Sequence, residues 1–321
     1  MREITFAEAV NEAQRFAMRE NPEVILFGEN VSSGWRAATK GLKEEFGRER
    51  VRDAPITETA FIGAGVGAAV VGMRPIVELM LVDFGLVAMD QILNQMAKTT
   101  YMTGGNVNVP MVLRAIYGAG GGNAATHSES LYGIYAHMPG MKVAVPATPY
   151  DAKGLLLTAI RDSNPVVFFE HRLLYSTRGP VPEEPYTVPF GVANLVREGR
   201  DVTVVAVGKM VHEAVKAADE LKGKVSVEVL DPRTLVPLDE EAILRSLQKT
   251  GRLVVVDEDY ERCGFSAEVA AVAAEKGFHS LKAPVARVAN PNVPIPFNRS
   301  LERHVLPDAE KIVRAIRSVV K

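Results

Sequence analysis

Glu58 is the residue of this chain whose surroundings most clearly require a partner. It stands between two threonines and is followed directly by the apolar, glycine-rich run AFIGAG, residues 60–65. If this run forms a buried helix, the carboxylate loses its water and needs a specific hydrogen-bonding or charged partner. An acid in the first turn of a helix, where the helix dipole favours negative charge, would explain Glu58 without any chemistry.

Three further positions carry side chains that are suited to binding or proton transfer. Phe84 follows Asp83, and its flat ring suits a flat heterocycle, although a phenylalanine between aliphatic residues is also typical of ordinary core. His127 follows a glycine-rich stretch that lets a loop approach a ligand closely, and an imidazole can exchange a proton near neutral pH. Glu29 ends a strand pattern, where a solvated carboxylate is equally typical.

The elements that must position these residues alternate between strand and helix patterns, which predicts an α/β fold. The predicted strands are 24–27, 111–116, 142–145 and 166–170, and the predicted helices are 8–19, 84–101 and 149–160. From residue 173 the pattern gives way to a proline-rich polar connection, so we place the domain boundary between residues 185 and 186. A second α/β domain is predicted from strands 202–207, 225–230 and 253–257, with helices beginning near 211, 238 and 266.

Composition limits the class of protein. With 321 residues, of which 47% are hydrophobic, the chain can form two domains with substantial cores. The single cysteine, Cys263, excludes an intrachain disulfide, and there is neither a charged-then-apolar leader nor an apolar run of about twenty residues. We therefore expect a cytoplasmic protein. A net charge of −2, with both signs interspersed, favours neither a nucleic-acid nor a membrane partner.

Several motifs then occur in order along the chain: ITETAFIGAGVGAAVVGMRPIVE, VDF, DQILNQMAK, THSESLY, HMPGMKVAVPATPYDAKGLLLTAIRDSNPVVFFEH and VANPNVPIPFNRSLERHVLPDAEKIVRAI. Over essentially the whole chain they resemble the beta subunit of the thiamine-diphosphate-dependent decarboxylating component of 2-oxo acid dehydrogenase complexes, a transketolase-like family. The resemblance implies a pyrimidine-binding domain, residues 1–185, with a mostly parallel sheet flanked by helices. It also implies a smaller transketolase C-terminal-like α/β domain, residues 186–321.

The same resemblance implies roles for individual residues. Glu58 is implied to hydrogen-bond the pyrimidine nitrogen of thiamine diphosphate, so that the cofactor's own amino group becomes an internal base. Phe84 and Ile56 are implied to form the wall against the pyrimidine. His127 is implied to lie near the reacting carbon, where it handles the acyl intermediate or the incoming lipoyl group. Glu29 matches an acidic position on a proton path between paired active sites.

Partners and ions are implied in the same way. Members of this superfamily bind Mg²⁺ through a Gly-Asp-Gly motif, which this sequence lacks. The resemblance therefore implies that an alpha subunit holds Mg²⁺ and the diphosphate, in an α2β2 assembly with a second beta subunit and a lipoyl acyltransferase core. In some relatives the positions of Asp162 and Asn164 help to hold a structural K⁺. An Asx-type turn between helix and strand explains these two residues equally well.

The implied reaction is oxidative decarboxylation of a 2-oxo acid, pyruvate or a branched-chain acid, with acyl transfer to lipoamide. Cleavage of acetoin to acetaldehyde and an acetyl group is the alternative, and Glu129, where the family usually has glutamine, leaves the substrate open. A nicotinamide dehydrogenase is a remote alternative, because Gly63-x-Gly65-x-x-Ala68 lacks the apolar strand that this fingerprint needs. A non-catalytic scaffold would lack the combination of Glu58, Phe84 and His127.

Overall fold

The computed structural model describes residues 1–34 and 37–321 and divides into two compact units. The first unit comprises Met1–Tyr117 and Tyr135–Phe190, and the second comprises Gly118–Ile134 and Gly191–Lys321. The segment that contains His127 therefore belongs to the second unit. The boundary between residues 185 and 186 stays a prediction.

The first unit is built on a parallel sheet with helices packed against it. Its strands are β1 (Arg2–Thr5), β2 (Val24–Gly28), β3 (Val51–Asp53), β4 (Arg74–Leu79), β5 (Val112–Tyr117), β6 (Lys142–Ala144), β7 (Val166–His171) and β8 (Arg178–Val181). Its helices are α1 (Phe6–Glu20), α2 (Leu42–Phe46), α3 (Glu58–Val70), α4 (Ala97–Met102), α5 (Tyr132–His137), whose first residues lie in the other unit, and α6 (Pro149–Arg161). Single 3₁₀ turns lie at Val31–Ser33 and Arg172–Leu174.

Neighbouring strands of this sheet follow the order β6-β7-β5-β4-β2-β3 and all pair in parallel. Helix α1 begins with a capping box, in which the Thr5 hydroxyl accepts from the Glu8 N–H and the Glu8 carboxylate accepts from the Thr5 N–H. Its apolar face packs along α6, and both helices bury their small and aliphatic residues there. The predicted α/β fold with a mostly parallel sheet is confirmed.

The glycine-rich run forms helix α3, and Glu58 is its first residue. Gly63 and Gly65 lie inside this helix rather than in a turn between strand and helix, which excludes the dinucleotide fingerprint. Both glycines permit close packing. A Cβ at Gly63 would lie 2.9 Å from the Gln91 side chain, and one at Gly65 would lie 2.7 Å from the Val77 side chain.

The predicted helix at residues 84–101 is helical throughout, but it changes its winding twice. It consists of a 3₁₀ helix at Val82–Ala88, a π-helix at Asp90–Met96 and α4. Gly85 packs tightly in the 3₁₀ part, where a Cβ would meet the Tyr135 hydroxyl oxygen at 2.2 Å. The predicted helix is confirmed, whereas its changes of winding were not predicted, because hydrophobic periodicity does not report local winding.

The proline-rich polar connection predicted after residue 173 contains a strand that the sequence pattern did not predict. Arg178–Val181 form β8, which pairs antiparallel with β1 at the other end of the unit's sequence. Gly179 and Pro180 occur within this short two-stranded ribbon, where proline is tolerated because the strand lies at an edge.

The second unit contains a five-stranded sheet in the order β14-β13-β10-β11-β9, parallel except for the edge strand β9. The sheet is formed by β9 (Asn194–Arg197), β10 (Val202–Ala206), β11 (Val227–Asp231), β13 (Leu253–Tyr260) and β14 (Ala286–Asn290), and the unit also contains β12 (Thr234–Val236), which lies outside this sheet. Its helices are α7 (Met210–Glu220), α8 (Glu240–Thr250), α9 (Phe265–Lys276), α10 (Arg299–Val305) and α11 (Ala309–Val320), and a 3₁₀ turn lies at Phe278–Ser280. In the described parts of both units, no helix is long and apolar enough to cross a membrane.

Candidate active site

Three of the predicted site residues lie where neighbouring parallel strands of the first unit end. Glu29 follows β2, Glu58 lies beyond β3, and Phe84 lies beyond β4. Strand β2 pairs in parallel with both β3 and β4, so these carboxyl ends meet at one edge of the sheet. Ligands of open α/β sheets bind at this edge. The fold thus brings together residues that are far apart in the sequence.

Glu29 and Glu58 form a buried carboxyl pair. Glu29 is 5% exposed and Glu58 is 8% exposed, and the two side chains lie within hydrogen-bonding reach of each other. Burial and the neighbouring Glu58 carboxylate raise the pKa of Glu29 to about 6, with a smaller contribution from Glu78. Among the described residues, no donor reaches the buried Glu29 Oε1 atom. Glu29 can therefore hold a proton close to neutral pH.

Phe84 and Ile56 lie on the segments that border this pair. The 3₁₀ helix that contains Phe84 packs against α3, and the Thr59 hydroxyl donates to the Val87 carbonyl oxygen at 2.9 Å. Phe84 is half-buried, whereas Ile56, just before α3, is 79% exposed. A buried carboxyl pair in which the Glu29 Oε1 atom has no donor among the described residues can accept a hydrogen bond from a protonated ring nitrogen, and an aromatic ring on a bordering segment suits a flat heterocycle. These residues fit the pyrimidine of thiamine diphosphate.

A second group of buried charges lies on β4, β5 and β7 and is fully paired. Arg114 donates to Glu78 at 2.7 Å and to both oxygens of Glu170 at 2.6 and 2.8 Å, and all three side chains are buried. Gln14 of α1 accepts a further hydrogen bond from Arg114 at 3.1 Å, and the Tyr175 hydroxyl donates to Glu170. Sequence reasoning missed this cluster, although a charge inside each of the apolar runs PIVELM, VLRAIY and VVFFEH was a usable signal.

His127 lies in the second unit, on an exposed turn after β5. The backbone N–H of His127 donates to the Ala124 carbonyl oxygen at 3.4 Å, and the ring Nδ1 atom lies 2.9 Å from the Thr126 hydroxyl oxygen. The nearby Glu129 accepts a hydrogen bond from the Tyr260 hydroxyl at 3.0 Å. Exposure of the ring suits contact with a substrate or a partner chain. The role of His127 stays a prediction.

Asp162 and Asn164 lie at the opposite edge of the first unit's sheet, where α6 ends and before β7 begins. The Asp162 Oδ1 atom accepts from the Asn164 N–H at 2.9 Å and from its side-chain amide at 3.1 Å, while Oδ2 pairs with Lys142. Burial alone would raise the pKa of Asp162, but the hydrogen bonds from Lys142 and Asn164 outweigh it and lower that pKa. The carboxylate therefore has its donors already.

The carbonyl oxygens of this turn are also occupied. The Arg74 guanidinium donates to the carbonyl oxygens of Ile160 at 2.8 Å and of Asp162 at 2.9 Å, at the negative end of the α6 dipole. A K⁺ ion at this turn would have to share these carbonyl oxygens with the Arg74 guanidinium. The implied K⁺ site at Asp162 and Asn164 stays a prediction.

Comparison with known proteins identifies the family. Family models for the "Transketolase, pyrimidine binding domain" and the "Transketolase, C-terminal domain" match residues 2–177 and 191–312. The chain is 49% identical to "Acetoin:2,6-dichlorophenolindophenol oxidoreductase subunit beta" of Bacillus subtilis, covering 97% of this chain and 96% of the relative. It is 42% identical to "Pyruvate dehydrogenase E1 component subunit beta" of Bacillus subtilis, covering 100% of both chains. This chain belongs to the family of thiamine-diphosphate-dependent 2-oxo acid dehydrogenase and acetoin dehydrogenase beta subunits.

Two further similarities agree with this family. "2-Oxoisovalerate dehydrogenase subunit beta" of Bacillus subtilis is 41% identical, with 99% of each chain covered. Among solved structures, a "Split gene transketolase, inactive beta4 tetramer" is similar with a TM-score of 0.80 and 25% identity, covering 99% of this chain and 98% of that one. The predicted resemblance, the two transketolase-like domains and the α/β fold of this beta-subunit family are confirmed.

Proposed function

We propose that this chain is the beta subunit of a pyruvate-type 2-oxo acid dehydrogenase. The reaction is oxidative decarboxylation of a 2-oxo acid with transfer of the acyl group to lipoamide, in an α2β2 assembly. The observation that carries this proposal is the buried Glu29–Glu58 pair beside Phe84. The pyruvate and 2-oxoisovalerate dehydrogenase beta subunits among the relatives support it.

Each residue of the site then has a defined task. Bound thiamine diphosphate supplies an electron sink for the cleavage of the bond next to the carbonyl carbon. Glu58 accepts a hydrogen bond from the protonated pyrimidine nitrogen and holds the proton at that atom. Glu29, with a pKa of about 6, exchanges a proton with Glu58, and Phe84 packs against the heterocycle. His127 donates a hydrogen bond to the acyl group or the incoming lipoyl group.

An alpha subunit completes the site by holding Mg²⁺ and the diphosphate. The sequence contains no Gly-Asp-Gly motif for this purpose. Next to the carboxyl pair, the first unit exposes Ile56, Leu86 and Val87, and exposed apolar patches of this kind mark protein interfaces. A second beta subunit and a lipoyl acyltransferase core complete the proposed set of partners, and a cytoplasmic location stays a prediction.

Calorimetric titration of thiamine diphosphate with Mg²⁺ tests the divided site. We expect no binding to this chain alone, and binding to the chain mixed with an alpha subunit from the same source. The Glu58→Gln chain mixed with the same alpha subunit serves as a matched control for the pyrimidine contact. Tight, Mg²⁺-dependent binding to this chain alone would overturn the two-subunit site.

Acetoin cleavage is a second candidate, because two acetoin oxidoreductase beta subunits, of Bacillus subtilis and Cupriavidus necator, are 49% and 46% identical to this chain. Reduction of 2,6-dichlorophenolindophenol by the assembled enzyme separates the candidates. Pyruvate, 2-oxoisovalerate and acetoin are supplied one at a time at equal concentration. If the pyruvate-type proposal is correct, kcat/KM is highest with pyruvate. A kcat/KM that is highest with acetoin would contradict this proposal and support acetoin cleavage.

A further inference from the structure

The segment that contains His127 is closed into a loop by its own backbone. The Gly118 N–H donates to the Glu129 carbonyl oxygen at 3.0 Å, two residues beyond His127. Loops whose ends meet in this way are compact and are frequently functional. Within the loop, Gly120 has a φ of +98°, and Gly122 and Ala124 have φ values of +69° and +66°. Ala124 adopts a conformation that side-chain-bearing residues rarely take, so something must hold the loop in place.

Two carboxylates from distant parts of the second unit hold the first arm of this loop. Glu302 of α10 accepts from the Gly120 N–H at 2.8 Å and from the Gly122 N–H at 3.2 and 3.1 Å, with both of its oxygens. Glu258 of β13 accepts from the Ala119 N–H at 2.8 Å. Both glutamates are buried, Glu302 to 1% exposure and Glu258 to 4%. Hydrogen bonds from backbone N–H groups to a carboxylate are among the strong ones.

The second arm, which is the chain that follows Glu129, is also held by carboxylates. The Tyr132 hydroxyl donates to Asp257, and the Gly133 N–H donates to the Asp259 Oδ2 atom at 3.0 Å. A Cβ at Gly133 would lie 2.6 Å from that oxygen, so the contact requires glycine. The Tyr260 hydroxyl also reaches the Glu129 side chain beside the closing hydrogen bond. Asp257 and Asp259 thus hold the second arm of the loop, while Glu258 and Glu302 hold the first.

Glu302 serves this loop in particular. Among the described residues, no ion pair to Glu302 occurs, and its side chain accepts from the two glycine N–H groups. Without the carboxylate, the N–H groups of Gly120 and Gly122 would lose their acceptor near the protein interior. The hydrogen bonds that stabilise the positive φ angles of these glycines would be lost as well. A glutamate that only capped its own helix would not need this geometry.

We propose that Glu302 and Glu258 are positioning residues for His127, which fix the glycine-rich arm of its loop through the N–H groups of Ala119, Gly120 and Gly122. This inference rests on the catalytic role proposed for His127. It adds that the role depends on two buried carboxylates that never touch the substrate. They act by holding the loop in a single conformation, since small displacements of a reacting group cost rate.

The test compares Glu302→Gln with a matched control, Glu275→Gln, which changes an exposed glutamate on α9 of the same unit. Both are made in the full chain. Amide hydrogen exchange is measured for residues 119–122, and the titration of His127 is followed by NMR of histidine labelled with ¹³C at Cε1. His212 and His279 serve as internal references, and His127→Gln assigns the signal. Glu258→Gln provides a second test of the same arm.

We expect Glu302→Gln to accelerate amide exchange at residues 119–122 by about tenfold or more. It should also shift the titration midpoint of His127 while those of His212 and His279 stay unchanged. In the complex with the alpha subunit, kcat should fall by about 10- to 100-fold with unchanged cofactor affinity. The control should match the wild-type protein in every measurement.

Two results would overturn the proposal. Exchange at residues 119–122 that equals the control would show that Glu302 does not hold the arm, and faster exchange with an unchanged His127 titration would show that the arm does not position the ring. If Glu302→Gln fails to fold, Gly122→Ala gives the same decision, because a Cβ there would lie 3.2 Å from the Arg299 Cγ atom and displace the arm. Full turnover of His127→Gln would instead contradict the proposed catalytic role, while exchange and titration still decide the positioning.

Discussion

In the first unit, Glu29 and Glu58 lie within hydrogen-bonding reach of each other and have no ion pair among the described residues, whereas in the second unit Glu258 and Glu302 accept hydrogen bonds from backbone N–H groups. All four side chains are buried. The second pair is satisfied within the protein and acts on structure. The first pair keeps an unused capacity for a donor from outside. The difference shows which buried carboxyls are available to a ligand.

The buried cluster around Arg114 shows the same difference between satisfied carboxylates and the first pair. Arg114 forms ion pairs with Glu78 and Glu170 on the strands next to its own, so a positive charge compensates these two carboxylates inside the sheet. That charge is shared by Glu78, Glu170 and the Gln14 side chain. At the strand ends, burial and the neighbouring Glu58 carboxylate raise the pKa of Glu29 to about 6.

The largest effect on stability is expected at the fully paired cluster. Arg114→Met removes the cation from two buried carboxylates and should lower the free energy of unfolding by about 3–5 kcal/mol, measured by urea denaturation. Arg245→Met, which removes an exposed pair with Glu241, is the control and should change stability by less than about 0.5 kcal/mol. Equal effects of the two substitutions would show that the buried cluster is not specially important.

A smaller effect is expected where Arg74 occupies the carbonyl oxygens at the end of α6. Arg74→Met should lower the free energy of unfolding by about 1–2 kcal/mol, because two charged hydrogen bonds and a favourable helix-end charge are lost. If the predicted K⁺ site is present, the wild-type melting temperature should be higher in K⁺ than in Na⁺ at equal ionic strength. The exposed Arg48→Met variant is the control. Equal melting temperatures in the two salts would contradict the K⁺ site, and equal effects of the two substitutions would contradict the role of Arg74.

The smallest effect is expected at Glu29. Since its pKa is raised from an ordinary value of 4.5 to about 6, the unfolded chain ionises first, and this carboxyl subtracts stability as pH rises from about 4.5 to 6. Glu29→Gln should therefore equal wild type at pH 4 and exceed it by about 1 kcal/mol at pH 7. The exposed Glu49→Gln variant should show no such pH dependence. A gain already present at pH 4 would show that ionisation of Glu29 is not the cause.

Local patterns in the sequence predicted much of the fold and the first elements of the site. Strands such as β2 and β7 and helices such as α1 and α6 follow the periods of their apolar residues. Glu58 stood out because an acid beside a glycine-rich apolar run needs a partner. The burial of Glu58 agrees with that reasoning, although its role at the cofactor stays a proposal.

The rest depended on contacts between distant parts of the chain. Pairing of β8 with β1, and of Glu302 with Gly120, joins residues far apart in the sequence, and no local pattern encodes such partners. The tight packing of Gly85 against Tyr135 also joins residues far apart in the sequence. The occupancy of the turn at Asp162 by Arg74 likewise required the three-dimensional neighbours.

Turnover of the assembled Glu58→Gln enzyme shows whether Glu58 supplies the carboxylate of a thiamine diphosphate site. Assembly with the alpha subunit is first verified by sedimentation, and turnover is then measured with saturating cofactor. We predict an intact complex in which kcat falls by about a thousandfold, because glutamine cannot hold the proton at the pyrimidine nitrogen. An intact complex with kcat within a few-fold of wild type would contradict the account.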